Sequence, residues 1–161
     1  MKRPFEQLVA DHGAAVLRVC RSMVGMHDAD DAWSDTFLAA LRAYPELPET
    51  ANTEAWLVTI AHRKCIDILR AGARHAIPMA DPPERASTLG VPDDGDELWD
   101  AVARLPDKQR ETIAYHYGAG LPYAEIADLI GGTAAAARRA ASDGIAALRT
   151  QFETQREDIR S

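Results

Sequence analysis

His62, Arg63, Lys64 and Arg70, followed by Arg74, form the most basic stretch in the first half of this chain, and Trp56 stands just before them. Cations interleaved with an aromatic ring suit a nucleic-acid surface, where they neutralise phosphates and the ring stacks on a base. The same pattern also suits an amphipathic helix whose arginines face water, and the stretch alone decides for neither. A second cluster is acidic. Asp31 and Asp35 lie one helical turn apart, where two like charges cost some helix stability. A solvated face is the usual fate of such a pair; a docking site for a basic partner is the alternative. A third group comprises Thr133, Arg138, Arg139 and Ser142. An arginine here can pair bidentately with guanine, and the threonine can cap a helix.

Catalytic chemistry finds no comparable cluster. His12, His27, His62, His75 and His116 show no paired spacing with one another or with the cysteines that would hold a metal. No glycine-rich phosphate loop follows a strand, and there is no Gly-x-Ser-x-Gly elbow. Cys20 and Cys65 make no disulfide framework and read as buried, inert thiols. The expectation is a protein that is not an enzyme, with no catalytic residue, cofactor or metal.

The residues of the third group sit in the most structured pattern of the chain. Pro122 opens a helix carrying Ile126, Ala127 and Ile130 on one face, and Gly131-Gly132 stops it. Thr133 caps a second helix, with Ala137, Ala141, Ile145, Leu148 and Phe152 inward. Two helices about a glycine turn make a helix-turn-helix, whose second helix enters the major groove, or else an αα-hairpin that only packs. Upstream, residues 4–24 form a helix on Leu8, Val16, Val19 and Met23, and Gly25 ends it. Asp28 caps the next, with Ala32, Trp33, Thr36, Phe37, Ala40, Leu41 and Tyr44 as its buried stripe. The basic cluster rides a third helix, from Asn52 or Thr53 to Gly72. Leu98 to Leu105 is a short helix, and Asp107 caps another with Ile113, Ala114 and Tyr117 inward. The tail from Glu153 to Ser161 is polar and expected to fray.

Between these parts, residues 76–97 are proline-rich and acidic, with too little apolar surface to fold alone. The fold class is therefore all-α. Two small helical domains, 1–75 and 98–161, are joined by an acidic, proline-containing linker, and the second is a helix-turn-helix module. The 161 residues are 47% hydrophobic and 27% charged, with a net charge of −7. The excess negative charge lies mostly in the linker, so any DNA contact must use local patches or a larger partner's help. No apolar run is long enough to span a membrane, and no signal segment is evident, which places the chain in the cytoplasm without membrane insertion.

With both halves in view, the chain resembles the extracytoplasmic-function (ECF) group of bacterial RNA polymerase sigma factors. The resemblance rests on Asp28-Ala29-Asp30-Asp31-Ala32-Trp33-Ser34-Asp35-Thr36-Phe37, on Ala55-Trp56-Leu57 through Arg70, and on Leu105-Pro106, Gln109-Arg110 and Tyr123-Ala124-Glu125-Ile126-Ala127, in that order. It implies a factor that associates with core RNA polymerase, directs it to promoter DNA and initiates transcription, under an anti-sigma factor or another signal. It implies that Asp31, Asp35 and Phe37 contact polymerase. The loop Glu46–Thr53 with Trp56 would capture a flipped base of the minus-ten element. His62, Arg63, Lys64, Arg70 and Arg74 would lie along DNA. Thr133, Arg138, Arg139 and Ser142 would meet the minus-thirty-five element. His62-Arg63 replaces the usual arginine-asparagine of the family. Ala136-Ala137, Ala140 and Asp143 replace threonine-valine and two arginines, which removes phosphate contacts. A free-standing helix-turn-helix regulator is the alternative, as is a protein that binds polymerase or a regulator without reading DNA. The apolar faces of the two modules are expected to touch when polymerase is absent.

Overall fold

The helix-breaking and helix-starting residues set the element order. The computed structural model describes residues 2–75 and 96–160. It contains α1 (Phe5–Ala43), α2 (Thr53–His75), α3 (Asp96–Ala103), α4 (Asp107–Ile113), α5 (Tyr123–Ile130) and α6 (Ala134–Arg160). No strand occurs among the described residues. The expected linker falls outside them, except that Asp96 and Glu97 belong to α3.

Gly25 breaks α1 with φ of 82°, so the run is two helices meeting at a kink. The left-handed backbone there favours glycine. Helical geometry resumes immediately after it, so Asp28 lies within the first turn rather than at the cap. Asn52 caps α2 through its Oδ1, which accepts from the Ala55 N–H at 3.2 Å. Pro106 precedes α4, leaving Asp107 as its first helical residue, where Oδ1 accepts from Arg110 at 2.9 Å. Thr133 caps α6 as expected: its hydroxyl accepts from the Ala136 N–H at 3.0 Å. The tail does not fray but continues α6 to Arg160, with Phe152 packed on a small core of Val102, Ile113, Ala141 and Leu148.

Two departures reorganise the second module. A π-helical turn at Ala114–Gly118 follows α4. Such a turn accommodates an extra residue and shifts the inward face. Tyr115 is therefore fully buried, whereas Tyr117, expected inside, is 54% exposed. Gly144 is buried where α6 crosses α4, and a Cβ there would stand 2.4 Å from Ile113 Cδ1.

The main core does not stop at the boundary between the modules. Val16, Val19, Cys20 and Met23 of α1 and Leu57, Val58, Ala61 and Cys65 of α2 share one buried cluster with Ala114, Tyr115, Leu121 and Ile126. Burying a leucine or isoleucine contributes roughly 1.5–3 kcal/mol, so Leu121 and Ile126 make the joint a packed interface rather than a loose contact. The apolar faces of the two modules thus meet in the free chain.

Candidate functional site

The second half of α1 presents two sides. Ala29, Ala32, Thr36, Phe37 and Ala40 face the core. Helical spacing sends Asp31, Asp35, Leu38 and Arg42 outward together, and all four are exposed. Phe37 was expected at the polymerase surface, but it is only 6% exposed. Its ring packs against Trp33 at 4.6 Å and Phe5 at 6.4 Å between centroids. Phe37 follows the 3.6-residue period into the core, and Leu38 takes the outer position at 52% exposure. Leu41, read as buried, is likewise half exposed. The face therefore combines two carboxylates with apolar leucine and, at its far end, the single cation of Arg42, which suits a mainly basic and partly apolar partner surface.

The basic cluster on α2 divides. Trp56, Arg63 and Arg70 recur every seven residues and share one side, and Arg63 and Arg70 are exposed. Trp56 is half-buried, with its ring 6.4 Å from that of Tyr44 and packed on the core, so it edges the surface instead of standing free. Lys64 is half-buried on another side. The side chain of Arg74 lies outside the described residues.

His62 departs most from the expectation. The sequence resemblance makes it a DNA contact, whereas its Nδ1 is hydrogen-bonded to the hydroxyl of Tyr115 from the second module. The rings meet edge to face at 5.6 Å. Burial lowers the imidazole pKa, and Arg63 and Lys108 lower it further. The same joint pushes the Tyr115 phenol well above its ordinary range, chiefly through burial and then through Glu111. Glu111 is itself buried, which raises its carboxyl pKa. Sequence spacing gave no sign of Tyr115, because the π-turn that turns it inward lacks a marker residue.

Two more contacts close the joint. Arg18 Nε donates to the Gly118 carbonyl at 3.0 Å. Gly120 turns with φ of 77° beside Glu54, whose Oε1 would be 3.7 Å from an added Cβ. Between α2 and α5 runs a cleft of about 380 Å³. Thr59, His62 and Arg63 line one wall, and Glu125, Asp128 and Leu129 the other. Glu125 Oε2 is buried without a hydrogen-bond partner.

The helix-turn-helix residues stay accessible. Thr133, Arg138, Arg139 and Ser142 are all exposed at the start of α6. The Arg138 guanidinium lies 5.4 Å over the Tyr123 ring, a cation–π contact that holds it to one side. Arg139 lines an open groove with Lys108, Ala135, Ala136 and Asp143. Lys108 Nζ donates to the Ile130 carbonyl at 2.8 Å and so ties α4 to the end of α5. In the core, Cys20 and Cys65 are both free and fully buried. Their mutual hydrogen bond, then burial, raise the Cys20 thiol pKa.

Residues 8–75 match the family model for sigma-70 region 2, and residues 95–148 that for sigma-70 region 4. The chain is 29% identical to the ECF RNA polymerase sigma factor ShbA of Streptomyces griseus, over 91% of this chain and 86% of that one. It is 32% identical to the ECF RNA polymerase sigma factor SigD of Mycobacterium tuberculosis, over 85% of this chain and 71% of that one. Among solved structures it is similar to CnrH in complex with the cytosolic domain of CnrY, with TM-score 0.66 and 25% identity over 93% of this chain and 88% of that one. It also resembles RpoE in complex with the anti-sigma factor NepR from Bartonella quintana, with TM-score 0.72 and 21% identity over 92% of this chain and 96% of that one.

Proposed function

This chain belongs to the ECF family of RNA polymerase sigma factors, and from that premise we propose how its surfaces divide the work of promoter recognition. The outer face of α1, with Asp31, Asp35 and Leu38, docks on core RNA polymerase. The outer side of α2, with Arg63 and Arg70 and with Trp56 at its edge, lies along the minus-ten element. There the electrostatic hold on an opened strand and the capture of an extruded base substitute for catalysis. The exposed start of α6 enters the minus-thirty-five major groove. Arg139 pairs with a base, Arg138 and Thr133 lie toward phosphate, and Ser142 stands one turn further on.

On this reading the domains are 1–75 for polymerase docking and minus-ten recognition and 98–161 for minus-thirty-five recognition, with 76–97 between them. The protein works in the cytoplasm as a recognition subunit without reaction chemistry of its own. It is held in check by an anti-sigma factor, as both solved neighbours were captured with a binding partner. The observation that carries the polymerase assignment is the exposure of Asp31, Asp35 and Leu38 together on the outer face of the second half of α1, beside Arg42. No helix among the described residues is long and apolar enough to cross a membrane.

Run-off transcription tests this reading, using sigma-free core polymerase, this chain and fragmented genomic DNA from its source. Discrete transcripts that vanish with Asp31→Arg/Asp35→Arg are expected. Polymerase binding without transcripts would favour a protein that binds polymerase without reading DNA. Loss of both would leave a free-standing helix-turn-helix regulator.

A further inference from the structure

Two segments far apart in sequence meet at the end of α1. A 3-10 turn, Tyr44–Glu46, carries the chain from α1 into the loop 47–52. The bonds within that loop are local. The Leu47 N–H donates to the Tyr44 carbonyl and the Ala51 N–H to the Pro48 carbonyl, each at 3.0 Å. Pro45 and Pro48 bring no N–H. Bonds of that span shape the loop without tying it to the rest of the domain.

Residues 2–4 supply such a tie. Lys2 Nζ donates to the Tyr44 carbonyl, and to the Pro45 carbonyl at 3.3 Å. An ammonium there meets carbonyls at the C-terminal end of α1, where the helix dipole favours a cation. The same ammonium stands 4.6 Å over the Tyr44 ring. At the far end of that side chain, the Tyr44 hydroxyl donates to the Arg3 carbonyl. Arg3 pairs in turn with Asp11 at 3.0 Å, and Gln7 donates to Asp11 at 2.9 Å. An exposed ion pair contributes little alone, so Tyr44 is the chief grip. Its ring lies 5.5 Å from that of Phe5 and 6.4 Å from that of Trp56. A cleft of about 310 Å³ has Lys2 and Arg3 on one side and Leu47, Pro48 and Thr53 on the other, so the segment faces the loop along its length.

We propose that Lys2 and Tyr44 are positioning residues for minus-ten recognition: the segment 2–4 clamps the turn after α1 and, through the Tyr44 ring, sets Trp56 and the loop against the extruded base. The inference rests on the sigma-factor reading above, in which Trp56 edges the strand-facing side of α2. Neither Lys2 nor Tyr44 has to touch DNA. A loosely held loop and ring would still leave Arg63 and Arg70 to hold an opened strand, but would lose the fixed geometry that tells one base from another.

The test is run-off transcription by core polymerase with the full chain, from a promoter that the wild type drives. Templates carry every single-base change in the minus-ten and minus-thirty-five elements. In Lys2→Ala, the preference between best and worst base at the captured minus-ten position is expected to fall about three- to tenfold. Preferences across the minus-thirty-five element stay within about twofold of wild type, as does binding of core polymerase, since both surfaces lie elsewhere. Lys2→Arg keeps a cation with several donors and restores the preference. Tyr44→Phe, which lacks the bond to Arg3, shares the loss. Unchanged minus-ten preferences in Lys2→Ala would overturn the proposal. So would an equal drop on every template, the mark of a phosphate contact instead of a positioning residue.

A second measurement needs no polymerase. Hydrogen exchange at the Leu47 and Ala51 amides of the free chain should quicken about threefold or more in Lys2→Ala, with the α2 amides unchanged. Equal exchange in the two chains would overturn the clamp itself. A wild type that yields no transcript would count against the sigma-factor reading, while the exchange result would still decide whether residues 2–4 hold the loop.

Discussion

His62 Nδ1 and the Tyr115 hydroxyl are hydrogen-bonded across 53 residues of sequence, one from each helical module. The pair joins the residue expected to touch DNA to the residue that the π-turn swings inward. Since Tyr115 is fully buried, its hydroxyl has no alternative partner in water, so the bond specifies the joint.

Tyr115→Phe removes that hydroxyl and keeps the ring. A destabilisation of about 1 kcal/mol is expected in urea unfolding. Combining it with His62→Ala in a double-mutant cycle should give a coupling of roughly 0.5–3 kcal/mol, since the two groups are in contact. Strictly additive effects would show that the bond is not formed in solution.

The same pair makes stability depend on pH. The folded chain holds His62 neutral, with a pKa below the ordinary 6.5. The unfolded chain therefore takes up the proton first as pH falls. The stabilisation is complete above that ordinary value and is lost on descent toward the lowered one. Lys108 and Arg63 reinforce the trend, while Glu111 opposes it, because its raised pKa relieves a burial cost as it protonates. In a Glu111→Gln background, the unfolding midpoint should fall between pH 7.5 and pH 5.5, and His62→Gln should flatten the slope.

Phe37 and Leu38 are neighbours with opposite duties. Phe37→Ala empties a core site against Phe5 and Trp33 and should cost about 3–5 kcal/mol. Leu38→Ala, at a half-exposed position, should stay within about 0.5 kcal/mol of wild type in unfolding but weaken the pull-down of core polymerase. Unchanged polymerase binding by Leu38→Ala would remove the leucine from the docking face.

Gly144→Ala places a methyl 2.4 Å from Ile113 Cδ1, too close without movement. Overpacking there should cost about 1–3 kcal/mol. Ile113→Val in the same chain removes the offending methyl and should return part of that loss. A neutral Gly144→Ala would mean that α6 and α4 cross less tightly than described.

Local chemistry determined much of this protein from sequence alone. Helical periodicity on Val16, Val19, Ala32 and Ala40, the glycines that break the chain at Gly25 and Gly131, and the Thr133 cap depend on neighbours within a turn or two, so they are legible one segment at a time. The exposed positions of Asp31, Asp35, Arg139 and Ser142 follow from the same period. What the tertiary structure decided is how the modules face one another. A π-turn has no marker residue, so the burial of Tyr115 and the exposure of Tyr117 could not be read from spacing. His62 lies mid-helix at the edge of the apolar face of α2, where only the arrival of the second module settles whether it meets water, DNA or a tyrosine. Gly144 likewise reads as a weak helix position until α4 crosses it. In each case the deciding contact lies far along the chain, and periodicity carries no information about a partner that distant.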